Sequence, residues 1–402
     1  MTTHSVPLGE LVEFNPTHGR NFVGPEVVSF LGMADVSERG TTASGEDREY
    51  SAVSKGYTPF RNGDILVAKI TPCFQNGKIA QARINHDVGA GSTEFHVVRP
   101  RDGVDGRYVL RFLRQEWIRR EGESRMTGSG GQRRVPEVYL RALKIPFPPL
   151  AEQKRIAAVL DQVDTLRVKR RAAIALLDDL AHSIFLDMFD DPDEGWLDVS
   201  VGELAVAGKN GIRTGPFGSQ LLREEFTEEG VAVLGIDNAV QNKFAWSGRR
   251  FISADKYRQL ARYKVYPGDL LITIMGTCGR CAVVPDDIQL AINTKHLCCI
   301  TLDKAKCLPE FLHSYFLMHP VSRRYLAQTA KGAIMAGLNM GIIKALPVRL
   351  PPLDLQKKYV SRVEKVRKVR TQQEAHLATL DKLFESLQQR AFAGRLWDHE
   401  AA

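Results

Sequence analysis

Apolar side chains recur at steps of three and four along two stretches of this chain, each with one longer step of seven or eight near its middle. The first runs through Ile156, Val159, Val163, Leu166, Ala173, Leu177, Leu180 and Ile184; the second through Tyr359, Val363, Val366, Val369, Leu377, Leu380, Phe384 and Leu387. That spacing is a coiled-coil seam and predicts helices over 150 to about 189 and 353 to about 393. Pro149 and Pro352 suit helix starts, and Asp191-Pro192 suits the end of the first helix. About forty residues make a rod of about 60 Å. Each seam is interrupted near its middle, by Arg170 in the first and Gln373 in the second. If the rods pack antiparallel, a pseudo-twofold axis crosses their midpoint and the two residues should meet there as a register pin, a polar layer trading stability for alignment. A snorkelling Arg170 with its head in solvent fits the pattern equally.

Ahead of each rod lies a block of roughly 150 residues that reads as mixed strand and turn. The blocks repeat. Pro148-Pro149-Leu150-Ala151-Glu152-Gln153-Lys154 returns as Pro351-Pro352-Leu353-Asp354-Leu355-Gln356-Lys357. Asn62-Gly63-Asp64-Ile65-Leu66-Val67 returns as Pro267-Gly268-Asp269-Leu270-Leu271-Ile272, each a tight Gly-Asp turn feeding an apolar strand. Val6-Pro7-Leu8-Gly9-Glu10-Leu11 is echoed by Val199-Ser200-Val201-Gly202-Glu203-Leu204. Matches in preserved order mean tandem duplication. The expected fold class is α+β: two mixed α/β heads separated by two long helices packed as an antiparallel coiled coil, over 1–149, 150–189, 190–352 and 353–402. The residues between the matches differ greatly, so the heads share a frame and not a ligand.

The chain has 402 residues, 44% of them apolar, and can bury ordinary cores. No stretch approaches the eighteen or more apolar residues of a membrane span, and no signal segment opens the chain, so a cytoplasmic protein without membrane contact is expected. A net charge of +8 favours an anionic partner. Cys278 and Cys281, with Cys298, Cys299 and Cys307 downstream, offer enough thiols for a zinc site. The corresponding turn of the first half has only Cys73, and Cys298 and Cys299 in a strand should point to opposite faces. Reduced thiols acting as small apolar side chains are the plainer reading, and no metal site is assigned.

Catalytic signatures are missing. Asn15-Pro16-Thr17 lacks the second proline and the aromatic of an amino-methyltransferase motif, and no Gly-rich cofactor loop has the required spacing. Gly77-Lys78 is followed by Ile79, with Pro72 where a phosphate loop needs glycine. Asp64 and Lys69 alone do not make a nuclease site, and Asp64 is assigned to its turn, as is Asp269. Glu94 and His96 form no defensible metal pair. The chain reads as non-catalytic. Candidate nucleic-acid contacts lie in polar, basic, Gly-rich loops, where Gln suits adenine edges and Arg suits guanine edges or phosphate. In the first head these are Gln75, Asn76 and Lys78, then Ser129, Gln132, Arg133 and Arg134. In the second they are Arg213, Thr214, Ser219, Gln220, Thr277, Arg280, Asn293, Lys295, His296 and Lys331, the last followed by Gly332 and Gly337. Such loops are often only solvated connections, and His296 could be a hydrogen-bonded strand residue.

The doubled Pro-Pro-Leu-x-x-Gln helix start resembles the conserved regions of type I restriction-modification specificity subunits. So do the helix ends Ser183-Ile184-Phe185-Leu186-Asp187-Met188-Phe189 and Ala391-Phe392-Ala393-Gly394-Arg395-Leu396, and the segment Gly211-Ile212-Arg213-Thr214-Gly215-Pro216-Phe217-Gly218-Ser219. The resemblance covers the whole chain in order. It implies that each head is a target-recognition domain reading one half of a split, asymmetric site on double-stranded DNA. It further implies that the helices set the spacer and dock two modification subunits. No cofactor is expected in this chain: S-adenosylmethionine, ATP and Mg belong to those partners and to a motor subunit that cuts unmodified DNA. A self-contained nuclease or methyltransferase and a coiled-coil scaffold without DNA affinity are the competing readings. Salt-sensitive duplex binding separates the scaffold, and methylation by the chain alone would revive the enzyme.

Overall fold

A computed structural model describes residues 4–17, 25–190, 195–208, 210–330 and 338–397. Asp191-Pro192 lies outside the described residues. The chain divides into two compact units, Met1–Arg171 with Ala375–Ala402, and Ala172–Glu374. The sequence had suggested heads and rods as separate blocks. Instead each unit takes one head and half of each long helix, because the ends of the helices are buried in the cores of the heads.

In the first unit, an antiparallel sheet carries the strands Val12–Phe14, Phe95–Pro100, Ile65–Ala68 and Ile79–Gln81 in that order. A second sheet orders Glu46–Glu49, Val27–Leu31, Val88–Gly91 and Thr58–Arg61, the middle two being parallel. Ser5–Pro7 pairs with Lys144–Pro146 and ties the start of the head to its end. The apolar run Ile65-Leu66-Val67 explains itself through the two-residue period of a strand. Ile65 and Val67 join the core built with Phe112, Leu113 and Ile156, whereas Leu66 joins the one built with Leu31, Phe60 and Val97. A strand covered on both faces needs a continuous apolar run.

The second unit repeats this plan. Its sheets order Ile212–Thr214, Leu297–Ile300, Leu270–Thr273, Cys281–Val283 and Phe226–Thr227, Phe251–Ile252, Val231–Leu234, Ala291–Asn293. Here Val231–Leu234 and Ala291–Asn293 are the parallel pair, and Leu197–Ser200 pairs with Pro347–Leu350. Leu270 and Ile272 face one core and Leu271 the other. Cys298 and Cys299 likewise divide between the two, as strand alternation requires. The Gly-Asp turns are built alike: Gly63 and Gly268 take φ +91° and +79°, and the following aspartates accept the backbone N–H of Arg61 (2.7 Å) and Tyr266 (2.9 Å).

The long helices run Leu150–Phe189 and Leu353–Phe392. Their Pro-Pro-Leu-x-x-Gln starts have a shared cause. Gln153, fully buried, accepts the N–H of Asp105 (2.9 Å) and donates to the carbonyl of Pro148 (2.9 Å). Gln356, equally buried, accepts the N–H of Leu308 (2.8 Å) and donates to the carbonyls of Lys306 (3.1 Å) and Pro351 (2.9 Å). One amide therefore satisfies loop backbone groups that burial would otherwise orphan.

Within each unit the helix halves pair antiparallel. In the first, Arg167 binds Asp381 (2.6 Å) while Glu152, a few turns earlier, meets Trp397. In the second, Asp178 binds Arg370 (2.6 Å) and Phe189 packs on Tyr359. The buried stripe is made of Ile156, Ala157, Leu160 and Val163 at one end and Phe185 and Phe189 at the other. Three residues assigned to the seam, Leu166, Leu180 and Val369, are 45%, 46% and 42% exposed. All three lie inward of the helix ends that bury against the heads, where heptad spacing alone does not secure cover. Arg170 belongs to the first unit and Gln373 to the second, and each is half-buried.

Candidate nucleic-acid interface

In the first unit, the loops singled out from sequence come together. The turn after Ile65–Ala68 and the segment 127–135 lie side by side: Val135 donates to the carbonyl of Lys69 (2.8 Å) and Thr71 to that of Arg133 (2.9 Å). The latter segment is a small hairpin closed by paired Thr127 and Arg134, and its tip holds Gly128, Gly130 and Gly131 at positive φ. Ser129, Gln132 and Arg133 are exposed there. Arg134 turns the other way and grips Glu94 with Nε (2.9 Å) and Nη2 (2.7 Å), which holds the Glu94 carboxyl below its ordinary value. Lys78 is spent inward on the carbonyl of Met33 (2.8 Å), Gln75 donates to Glu123 (3.1 Å), and Asn76 donates to Glu38 (2.9 Å). Gln75 and Lys78 thus serve the loop itself first.

In the second unit the corresponding strand ends again converge. Ile274 donates to the carbonyl of His296 (2.9 Å), so the turn bearing exposed Thr277 and Arg280 lies beside Lys295 and His296. Gly215, next to Thr214, sits so close to the Asn293 backbone that a Cβ would stand 2.0 Å from its carbonyl oxygen. Ser219 and Gln220 are exposed, and Gln220 accepts from the Tyr263 hydroxyl (2.8 Å). Lys331, Gly332 and Gly337 lie outside the described residues.

Two candidates are corrected. Arg213 is only 7% exposed, and its guanidinium binds Asp269 (2.7 Å), the Asn210 and Lys264 carbonyls and the Thr301 hydroxyl. Asn293 is fully buried and donates to the Leu297 carbonyl (3.1 Å). Both spend donors on backbone and side chains of their own unit, although Arg213 Nε and Asn293 Oδ1 are buried without a partner. Sequence reasoning passed over Lys69 and Arg250. Lys69 follows the Ile65–Ala68 strand and lies close enough to Glu94 to lower its pKa. Arg250 binds Asp237 (2.6 Å), and burial, then Lys295 and Arg250, keep the His296 imidazole below its ordinary value. The Arg249-Arg250 doublet ahead of Phe251 was the available signal. Lys69, Arg133, Arg249, Arg280 and Lys295 make no ion pair among the described residues.

Burial pushes the Cys298 thiol up to about 12 and Cys281 higher, so both are neutral core groups. No cluster of three or more His, Cys, Asp or Glu converges among the described residues. His96 is buried and His313 half-buried, each with Nδ1 unpartnered and Nε2 facing backbone carbonyls, and burial lowers both pKa values. The unfolded imidazole takes its proton near about 6.5 and the folded one only lower, so stability is full above that value and lost below it. The urea midpoint is expected to fall between about pH 7.5 and 5.5; a midpoint unchanged in His96→Asn/His313→Asn relative to wild type at the lower pH would assign the loss elsewhere.

A family model, the type I restriction modification DNA specificity domain, matches residues 5–175 and 223–380. The chain belongs to this family. Among relatives, the type I restriction enzyme EcoAI specificity subunit of Escherichia coli is 42% identical over 142 residues, 35% of this chain and 24% of that protein. The EcoEI specificity subunit of the same species is 38% identical over 161 residues, 39% of this chain and 27% of that protein. The matches thus span about a quarter of each relative. The EcoKI specificity subunit is 24% identical over 75% of this chain and 68% of its own length. Among solved structures, the S subunit of the type I restriction-modification system from M. genitalium has a TM-score of 0.58 at 16% identity, over 96% of this chain and 95% of that one. A chain from a study of complex assembly and conformational transition of the type I R-M system has a TM-score of 0.58 at 19% identity over 98% of both. These likenesses carry the fold. The family's doubled specificity domain is the doubled head described above, and none of the described helices is long and apolar enough to cross a membrane.

Proposed function

We propose that the chain is the non-catalytic DNA sequence-specificity subunit of a type I restriction-modification complex. Each head reads one half of a bipartite, asymmetric site on double-stranded DNA, Lys and Arg supplying phosphate contacts and loop side chains reading base edges. The observation carrying this is that both units, built on one plan, place a basic residue without an ion pair on the equivalent turn, Lys69 after Ile65–Ala68 and Arg280 before Cys281–Val283, with a second such residue on a loop beside it, Arg133 in one and Lys295 in the other. The long helices set the spacer and dock two modification subunits, with a motor and restriction subunit joining them. S-adenosylmethionine, ATP and Mg serve on those partners, in the cytoplasm. Exposed Leu166, Leu176, Leu180, Val369 and Leu383 give the helices the apolar surface such docking needs. Arg170 and Gln373 serve as the polar interruptions that fix helix register; changing both to leucine should permit alternative packings, and unchanged packing would remove that role.

The test is to insert four residues into each long helix, lengthening each by about 6 Å, or about two base pairs at 3.4 Å. Adenine-methylation mapping of cells carrying the altered gene should show both half-sites unchanged in sequence and the spacer longer. An altered half-site with an unchanged spacer contradicts the ruler. Methylation that is the same with and without the gene, together with no salt-dependent duplex binding, contradicts the specificity role itself.

A further inference from the structure

Arg133 and Arg134 are neighbours in an extended segment, so their side chains leave on opposite faces. Arg134 is committed to Glu94, whereas Arg133 is exposed and makes no ion pair among the described residues. What distinguishes Arg133 is its backbone. The Thr71 hydroxyl donates to the Gly131 carbonyl (2.5 Å) and accepts the Arg133 N–H (3.1 Å), while the Thr71 N–H donates to the Arg133 carbonyl (2.9 Å). Thr71 therefore clasps both sides of the residue between a flexible glycine tip and a fixed strand end. Glu94 sets the far side of the same hairpin through Arg134.

A phosphate contact tolerates a mobile arginine, since the charge acts over several ångströms. A bidentate bond to the O6 and N7 of guanine does not: both donors must arrive in one plane. We propose that Arg133 reads a guanine in the half-site of the first head and that Thr71 is its positioning residue. This rests on the specificity role proposed above. The clasp fixes in advance the backbone from which Arg133 reaches out, so only its side chain is left to order on binding.

The experiment is a double-mutant cycle on the full chain, titrated against duplexes carrying the mapped site and each of its single-base-pair variants, at several salt concentrations. Arg133→Ala should abolish discrimination at one base pair of one half-site, a loss of about 5- to 150-fold. Thr71→Val, similar in shape but without the hydroxyl, should weaken discrimination at that same base pair several-fold and nowhere else. Thr71→Ser, which keeps the hydroxyl, should restore it. In the Arg133→Ala background Thr71→Val should add nothing, because the residue it positions is gone. Independent, additive losses overturn the clasp. A loss uniform over all duplexes with a shallower salt dependence makes Arg133 a phosphate contact and overturns the assignment. Wild-type chain that fails to discriminate the mapped site from its variants overturns the specificity role, a result distinct from both.

Discussion

Replacing Asp269 with alanine is expected to cost the second unit about 3–5 kcal/mol, the loss typical of breaking a buried ion pair from one side. Asp269 is 1% exposed and holds four groups at once: the Arg213 guanidinium, the Tyr266 N–H, the Thr301 hydroxyl (2.6 Å) and the Cys299 thiol (3.2 Å). Its removal strands a cation that is itself buried, which is dearer than losing the bond. Burial holds the Cys299 thiol well above its ordinary value, so with Asp269 gone the thiol still offers no compensating charge. Urea unfolding followed by tryptophan emission should shift the transition of the second unit and leave that of the first in place. The equivalent Asp64→Ala in the first unit should cost less, because its partner Arg99 keeps 23% of its side chain in solvent. A shift for Asp269→Ala below about 1 kcal/mol, the value of a surface pair, would show that the buried pair is not what holds this sheet.

The glutamines at the helix starts give the second large effect. Gln356→Leu fits the space but leaves the Leu308 N–H and the Lys306 and Pro351 carbonyls without their partner. At about 1–3 kcal/mol for each unsatisfied buried group, partly relieved by local movement, a loss of about 3 kcal/mol is expected. Gln153→Leu should do the same to the first unit through the Asp105 N–H and the Pro148 carbonyl. The informative result is which part of the chain melts. Hydrogen exchange should show protection lost around 303–318 in the first variant and 100–113 in the second. Protection lost equally from both regions in either variant would contradict a local staple.

Much of this architecture was legible in the chain because periodicity reports local geometry faithfully. The two long helices, the Gly-Asp turns and the opposed faces of Cys298 and Cys299 all follow from spacing alone. What spacing cannot report is the identity of the surface a face meets. Leu166 and Leu180 have the right interval for a seam and are half in solvent, because they lie inward of the helix ends that the heads cover. The same limit decided the candidate site. Arg213 stands in Gly-Ile-Arg-Thr-Gly, a polar loop by composition, yet its fate is set by an aspartate 56 positions away. Arg133 and Arg134 are indistinguishable as a doublet, and only Glu94, brought alongside by strand pairing, separates the clamp from the free side chain. Lys69 went unread as a contact for the opposite reason, lying at the edge of an apolar run that drew attention to the core.

The division of the long helices between the units has a consequence for how the molecule is made. The second unit is one uninterrupted stretch, Ala172–Glu374, whereas the first also needs Ala375–Ala402. Ala391, Leu396 and the ring of Phe392 line the core that Tyr108 and Phe112 begin. On the ribosome, the head synthesised first must therefore wait with that core uncovered until Ala391 to Leu396 emerge, while the head synthesised second already has all of its parts. The order of completion is the reverse of the order of translation.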